Sequence, residues 1–176
     1  MSDTQAIVLT KLGEGLPAIT PSFGAALAEA CAICLQDQGH AQGVELQVSG
    51  EFTTRFQLYW QTVTEQMLRC WNDQEFATEQ AAYGITFMLV QQLTSYTVIE
   101  RSRKGTGFDY WLGQESESLF QNKVRLEVSG IRRGDDSRLK ARVRQKIEQT
   151  NPSDGALPAY IVVVEFSQPR SVMVQK

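Results

Sequence analysis

The sequence has few of the residues that zinc proteins and serine hydrolases use. It contains one histidine, His40, and three cysteines in 176 residues. Cys31 and Cys34 have CxxC spacing, but they lie in the apolar segment AALAEACAICL, and no second cysteine or histidine pair is near enough to complete a zinc site. We therefore expect these two residues and Cys70 to be buried free thiols. A single histidine also argues against histidine-based zinc chemistry and against a Ser-His-Asp triad.

Long apolar runs and low-complexity stretches are also missing. No segment approaches the roughly 20 apolar residues that a membrane span requires. The start of the chain, MSDTQAIVLTKLGEG, lacks the charged and apolar regions of a signal peptide. The five prolines are scattered, and we find no linker and no internal repeat. These features predict a soluble, cytoplasmic protein with no membrane contact.

The chain does have enough apolar residues for one core. Hydrophobic residues make up 42% of the sequence and charged residues 21%. This composition and length are typical of a single globular domain that needs neither disulfides nor metals for stability. We therefore predict one domain over residues 1–176.

The net charge of −3 is unevenly distributed along the chain. Residues 1–100 carry three basic and 11 acidic side chains, whereas residues 101–146 carry 12 basic and six acidic ones. A basic segment is typical of a surface that faces a polyanion such as nucleic acid. A solvated helix face has the same composition, so charge alone leaves both interpretations open.

The hydrophobic pattern predicts two portions of the chain. The N-terminal portion, residues 1–74, is predicted to contain a helix at 23–38, a hairpin of strands at 44–48 and 55–60, and a short helix at 64–71. The second portion, residues 75–168, is predicted to contain a helix at 75–94, strands at 96–101, 108–112 and 123–129, a helix at 136–149 and a doubly buried strand at 160–166. We therefore predict an α+β fold in which a mixed central sheet is flanked by helices. Its core has αβββαβ order, and the N-terminal helix and hairpin are additions to it.

Three acidic residues stand at suggestive positions in this core. Glu79 lies one turn into the first helix, Asp109 lies early in the second strand, and Glu127 lies on the outward side of the third. Carboxylates that converge from a helix and two strands are suited to Mg2+, which prefers oxygen ligands. Each residue also has a structural interpretation, namely helix-dipole stabilisation for Glu79, turn formation for Asp109 and cross-strand pairing for Glu127.

The order of elements and acids resembles that of the PD-(D/E)xK nuclease superfamily, and most closely its Mrr-type restriction endonucleases. The matching segments are ATEQAAYG with Glu79, SYTVIER as the first strand, GTGFDYWL with Asp109, and RLEVSG with Glu127. The resemblance covers residues 75–168. It implies a restriction-endonuclease-like fold, a site with Glu79, Asp109 and Glu127 as Mg2+ ligands, and a role in bacterial restriction or defence.

The chain departs from the family pattern at Ser129, where the family has a lysine two residues after the third-strand acid. The lysine amine helps to orient the attacking water and offsets phosphate charge, whereas a serine hydroxyl does neither at neutral pH. Lys123 and Arg125 on the same strand face, or Lys104 in the preceding turn, are candidates for a replacement cation. The sequence leaves open whether the site, with Ser129 in it, is catalytic.

Three functions follow from these observations. The first is Mg2+-dependent phosphodiester hydrolysis of nucleic acid, with DNA as the expected substrate. The second is a catalytically inactive nuclease-like subunit that binds nucleic acid or a partner protein. The third is a homodimer or adaptor without nucleic acid, in which the acidic residues 1–100 form a protein-binding surface and the basic helix is its counterpart. The side chains expected to contact nucleic acid are basic ones in the second portion: Arg103, Lys104, Lys123, Arg125, Arg132, Arg133, Arg138, Arg142, Arg144 and Lys146.

Overall fold

The structure is a computed structural model that describes residues 4–115, 123–153, 155 and 157–176. Its helices are α1 (Pro21–Asp37), α2 (Glu65–Cys70), α3 (Gln74–Leu93) and α4 (Asp136–Gln149), with short 3-10 helices at Leu9–Glu14 and Asn151–Ser153. Its strands are β1 (Gln5–Val8), β2 (Val44–Gly50), β3 (Thr54–Tyr59), β4 (Thr97–Arg101), β5 (Tyr110–Gly113), β6 (Val124–Ile131), β7 (Ala159–Glu165) and β8 (Arg170–Gln175).

The eight strands of the described residues form one mixed sheet in the order β1-β3-β2-β8-β7-β6-β5-β4. The β6–β7, β2–β8 and β1–β3 pairs are parallel. The β2–β3, β4–β5, β5–β6 and β7–β8 pairs are antiparallel. The prediction of an α+β fold with a mixed central sheet flanked by helices is confirmed. The expected αβββαβ order of residues 75–168 corresponds to α3, β4, β5, β6, α4 and β7.

Two of these strands are not predicted by the sequence pattern. One is β1, a four-residue strand at the edge of the sheet that pairs with β3. The other is β8, which lies between β7 and β2 and so joins the N-terminal hairpin to the core in one sheet. Its sequence, RSVMVQ, is short and partly polar, and only Ser171 and Met173 are buried. A strand of this kind is recognised by its pairing partners more readily than by its own pattern.

Helices α1 and α3 cover one face of the sheet, and their starts are fixed by side-chain caps. The Thr20 hydroxyl accepts a hydrogen bond from the Phe23 amide at the start of α1, and Asp73 does the same for Phe76 in α3. Helix α3 lies very close to β6. A Cβ atom at Gly130 would be 2.6 Å from the Thr78 carbonyl oxygen. This close approach fixes α3 over the middle of the sheet.

Helix α4 covers the opposite face with a much smaller apolar contact. Leu139 packs with Ile131 and Val163 in a cluster that also includes the half-buried Val143 and Val172. The apolar side chains of this basic helix therefore face the sheet. Because side chains alternate along β6, its apolar residues at 124, 126 and 128 enter the main core, and its polar residues at 125, 127 and 129 lie on the α4 side.

The cysteines only partly follow expectation. Cys31 and Cys34 are buried free thiols, as predicted, whereas Cys70 at the end of α2 is exposed. The prediction for Cys70 is wrong because α2 has only six residues and buries only Met67. In the part of the chain that the structure describes, no helix is both long enough and apolar enough to cross a membrane.

Candidate functional site

Glu127 is the centre of a polar site between the sheet and α4. Only 1% of its surface is exposed. Its Oε1 accepts hydrogen bonds from Lys146 Nζ at 2.7 Å and from Gln149 Nε2 at 2.9 Å. Its Oε2 is also buried but has no hydrogen-bond partner. Burying an ionised carboxylate oxygen without a hydrogen-bond partner costs free energy. Binding of a proton or a cation at Oε2 would remove this cost.

Asp109 is held next to Glu127 by the backbone of β6. Its amide donates to the Leu126 carbonyl at 2.8 Å, and its Oδ2 accepts a hydrogen bond from the Val128 amide at 2.8 Å. These two bonds join Asp109 to the residues that precede and follow Glu127 on β6. Asp109 is half-buried. The two adjacent strands therefore bring both predicted carboxylates into one site.

The pKa of Glu127 reflects this crowding. Burial and then the neighbouring Asp109 carboxylate raise the pKa of Glu127 from 4.5 to about 7, although Lys146 acts to lower it. Two carboxylates that share a site repel each other when both are ionised. Glu127 therefore keeps its proton to a higher pH than an exposed glutamate does.

We predict that this raised pKa makes stability depend on pH. The folded protein binds the Glu127 proton more tightly than the unfolded chain does, so stability present at low pH is lost as pH rises from about 4.5 to about 7. Between about pH 5 and pH 8 the contribution to the free energy of unfolding falls by about 2 kcal/mol. Urea unfolding of the wild type and of Glu127→Gln, compared across this range, isolates the contribution. Parallel pH profiles for the two proteins would contradict it.

Glu79 does not join these two carboxylates in one ligand group. Its side chain is exposed on α3, and no three His, Cys, Asp or Glu residues within the described ranges are grouped to hold a metal ion. Glu79 and Asp109 both lie near Tyr83. Burial is the main cause that raises the pKa of Tyr83, and the charges of Asp109 and then of Glu79 raise it further. The expected ligand set of three carboxylates is therefore reduced to Asp109 and Glu127.

Ser129 contacts a guanidinium group from α4. Arg142 Nη1 donates to Ser129 Oγ at 2.7 Å. Arg142, Lys146 and Gln149 lie on one side of α4, and this side faces β6. The sequence predicts Arg142 and Lys146 as nucleic-acid contacts and does not predict their contacts with Ser129 and Glu127. Arg142 and Lys146 are four residues apart, and Gln149 follows three residues later. This spacing indicates a shared helix face, but it does not indicate what that face contacts.

Several other basic residues make internal contacts. Arg125 is 2% exposed, and its guanidinium donates to the carbonyls of Leu157 and Thr150 and to the Ser153 hydroxyl. Arg125 is therefore placed inside the fold, away from the surface on which the sequence analysis expected it. This position is also incompatible with its expected role as a replacement cation, because the guanidinium holds the loop after α4.

Two more of these side chains are held by acids. Arg132 forms an ion pair with Asp37 at 2.9 Å. Lys123 Nζ lies 3.9 Å from a carboxylate oxygen of Glu100 and 5.1 Å from the centre of the Trp111 ring. Both interactions attach the basic side chain to its own protein surface, which reduces its availability to a ligand.

The remaining basic residues of the predicted nucleic-acid set are exposed. Arg103 and Lys104 lie in the β4–β5 loop that ends at Asp109, and the loop touches the end of α4, since a Cβ at Gly107 would be 2.8 Å from the Gln149 carbonyl. The loop therefore borders the carboxylate site. The others lie at or beyond the start of α4 or on its outer side: Arg133, Arg138 and Arg144.

The chain was compared with known proteins at three levels. Neither family models, nor curated proteins, nor solved structures give a match to it.

Proposed function

We propose that this protein is a divalent-cation-dependent nuclease whose site is formed by Asp109 and Glu127. The observation that carries the proposal is the buried Oε2 of Glu127, which lacks a hydrogen-bond partner although Asp109 and Lys146 are its neighbours. The αβββαβ order of the elements that carry these residues is consistent with the resemblance to the PD-(D/E)xK superfamily.

The two carboxylates fit a magnesium ion. Mg2+ is commonly held by one or two carboxylates, and phosphate oxygens of the substrate and water complete its coordination. When bound, the ion would offset phosphate charge and make water a better nucleophile. The absence of Glu79 from the ligand group is compatible with this arrangement, because two protein carboxylates are sufficient.

The basic residues of α4 supply what Ser129 lacks. Lys146 brings an ammonium group to Glu127, and Arg142 brings a guanidinium group to the Ser129 hydroxyl. Positive charge fixed at these positions favours the negative charge that develops on a phosphate during displacement. We propose that Lys146 takes the role of the missing motif lysine, from a helix rather than from the third strand.

The test is cleavage of plasmid DNA with Mg2+ by the wild type and by Asp109→Ala and Glu127→Ala. Both variants are expected to lose cleavage, because each removes one of two cation ligands. Glu14→Ala, which changes an exposed acid in the Leu9–Glu14 helix, is the matched control and is expected to retain it. Circular dichroism of each variant checks folding.

Two outcomes would count against the proposal. Cleavage that survives both substitutions would place catalysis elsewhere. Salt-sensitive DNA binding by the wild type with no cleavage in Mg2+ or Mn2+ would favour the inactive, binding-only alternative.

The β4–β5 loop gives a separate prediction about DNA binding. We expect Arg103→Glu with Lys104→Glu to weaken binding and to reduce the slope of log affinity against log salt by about 2, or about 1 for each lost phosphate contact. Fluorescence anisotropy of labelled DNA at several salt concentrations measures both effects. Lys11→Glu, a charge reversal at an exposed lysine in the N-terminal portion, is the control. An unchanged salt slope in the double variant would remove the loop from the DNA-binding surface.

A further inference from the structure

A groove of about 1010 Å3 lies on the side of α4 that faces away from Glu127. One wall is the flank of α4 between its apolar stripe and its exposed side, and the other is formed by β2, β3 and β8. Leu139, Val143 and Val172 contribute apolar surface to it. In the described structure, α4 covers β6 and β7 and leaves this neighbouring part of the same sheet face open as the groove.

The groove carries excess positive charge. Its acidic residues are already paired, Glu45 with Arg55 at 3.6 Å and Asp136 with Arg170. The two cations that remain are on α4, where they share one exposed side of the helix and have no ion-pair partner among the described residues: Lys140 and Arg144. An occupant of this groove should therefore be acidic and partly apolar.

The groove is poorly suited to nucleic acid. Its lining includes no aromatic side chain on which a base could stack. Two of its four cations, Arg55 and Arg170, are already paired with acids, which leaves only two cations for phosphate groups. A protein surface with apolar side chains between acidic ones matches the groove better, because it can bury the apolar wall and pair with the two cations.

The same chain carries a surface of this kind, which we call the α2 patch. Large apolar side chains are exposed at only three described positions, and two of these are Leu68 (46% exposed) and Phe76 (50%). The same short segment carries three exposed acids, Glu65, Asp73 and Glu75, and one exposed base, Arg69, which lies 3.8 Å from Glu65, so its net charge is −2. Exposed apolar groups bordered by charge are typical of a protein interaction site.

We infer that the α2 patch of one copy docks into the α4 groove of another. Helix α2 lies beside α1, on the sheet face opposite α4, and Trp71 Nε1 after α2 donates to Glu29 of α1 at 2.9 Å. The two surfaces are therefore on opposite sides of the molecule. Contact between two different surfaces is heterologous, so copies add head to tail and the assembly grows unless it closes into a ring.

Sedimentation velocity of the full chain tests this inference. The wild type is expected to form species larger than a dimer as protein concentration rises. A groove variant, Lys140→Glu with Arg144→Glu, and a patch variant, Leu68→Ser with Phe76→Ser, are each expected to be monomeric. An equal mixture of the two variants is expected to form a 1:1 dimer and nothing larger, because one intact patch meets one intact groove.

The patch variant loses the stacking of Phe76 on Trp71, whose ring centres are 5.7 Å apart. Glu75→Lys, a single change at an exposed position, therefore tests the same surface without that loss, and Lys11→Glu is the control that should assemble like the wild type. A wild type that is monomeric at every concentration would overturn the inference. A groove variant that assembles like the wild type would also overturn it. So would a wild-type groove that binds nucleic acid and does not bind a second copy of the chain.

Discussion

Replacing Lys146 with alanine is expected to lower the rate of Mg2+-dependent DNA cleavage by about 100-fold or more, as loss of a fixed charge that stabilises a transition state typically does. Lys146 Nζ is 2.7 Å from Glu127 Oε1, and its side chain is 18% exposed. The ammonium group is therefore fixed in the site and not free in solvent. Single-turnover cleavage by equal amounts of folded protein measures the effect.

Lys140→Ala is the matched control for this prediction, because Lys140 is an exposed lysine of the same helix and does not belong to the predicted nucleic-acid set. It removes the same charge from the same helix and should leave the cleavage rate nearly unchanged. Full activity of Lys146→Ala would contradict the role assigned to Lys146. It would not test the carboxylates, whose role is tested by Asp109→Ala and Glu127→Ala.

The Lys146→Ala protein should also respond differently to pH. Lys146 acts to lower the pKa of Glu127, so its removal raises that pKa further above about 7. The carboxylate then stays protonated to higher pH, and binding of a divalent cation, measured by calorimetry, should shift to higher pH. Lys146→Arg, which keeps a positive charge, should shift it less. A pH profile unchanged in Lys146→Ala would indicate that the ammonium group does not influence Glu127.

Replacing Arg125 with methionine is expected to lower the free energy of unfolding by about 3 kcal/mol, because buried carbonyl and hydroxyl acceptors lose charged donors. The guanidinium bonds to Thr150 at 3.0 Å, to Ser153 at 2.6 Å and to Leu157 at 2.7 Å, and thereby fastens the loop after α4 to β6. Methionine has a similar length but replaces none of these bonds. Urea unfolding at pH 7 measures the loss.

An exposed arginine provides the comparison for this substitution. Arg103→Met removes the same charge at an exposed position and should change the free energy of unfolding by less than about 0.5 kcal/mol. DNA binding by folded Arg125→Met, measured in conditions where it is fully native, should match that of the wild type. Weaker binding with unchanged stability would instead support the original expectation that Arg125 contacts nucleic acid.

Prediction from the sequence worked best for elements with a strong pattern of their own. Long apolar runs or clear periodicity mark four elements, and the sequence predicts each of them to within two residues at either end. They are the helices at 21–37, 74–93 and 136–149 and the strand at 159–165. The β8 strand was missed because its stability comes from pairing with β7 and β2 rather than from its own residues.

The sequence predicts only the part of the candidate site whose geometry follows from strand order. Asp109 directly precedes β5 and Glu127 lies on β6, and these two strands are consecutive and antiparallel, so the proximity of the two residues follows from the order of elements along the chain. The contacts of Lys146, Arg142 and Arg125 depend on which side of α4 meets the sheet and on where the following loop folds back. Sequence spacing places the first two on one helix face, but it does not specify a partner for that face.

The sequence by itself determined the α+β class, the order of the core elements and the uneven charge, since these depend on local periodicity and composition. Only the tertiary structure divided the basic segment. It buried Arg125, directed Lys146 and Arg142 toward Glu127 and Ser129, and left Lys140 and Arg144 in a groove on the other side of α4. The physical reason is that charge is a property of each side chain, whereas burial and pairing are fixed by contacts between residues distant along the chain.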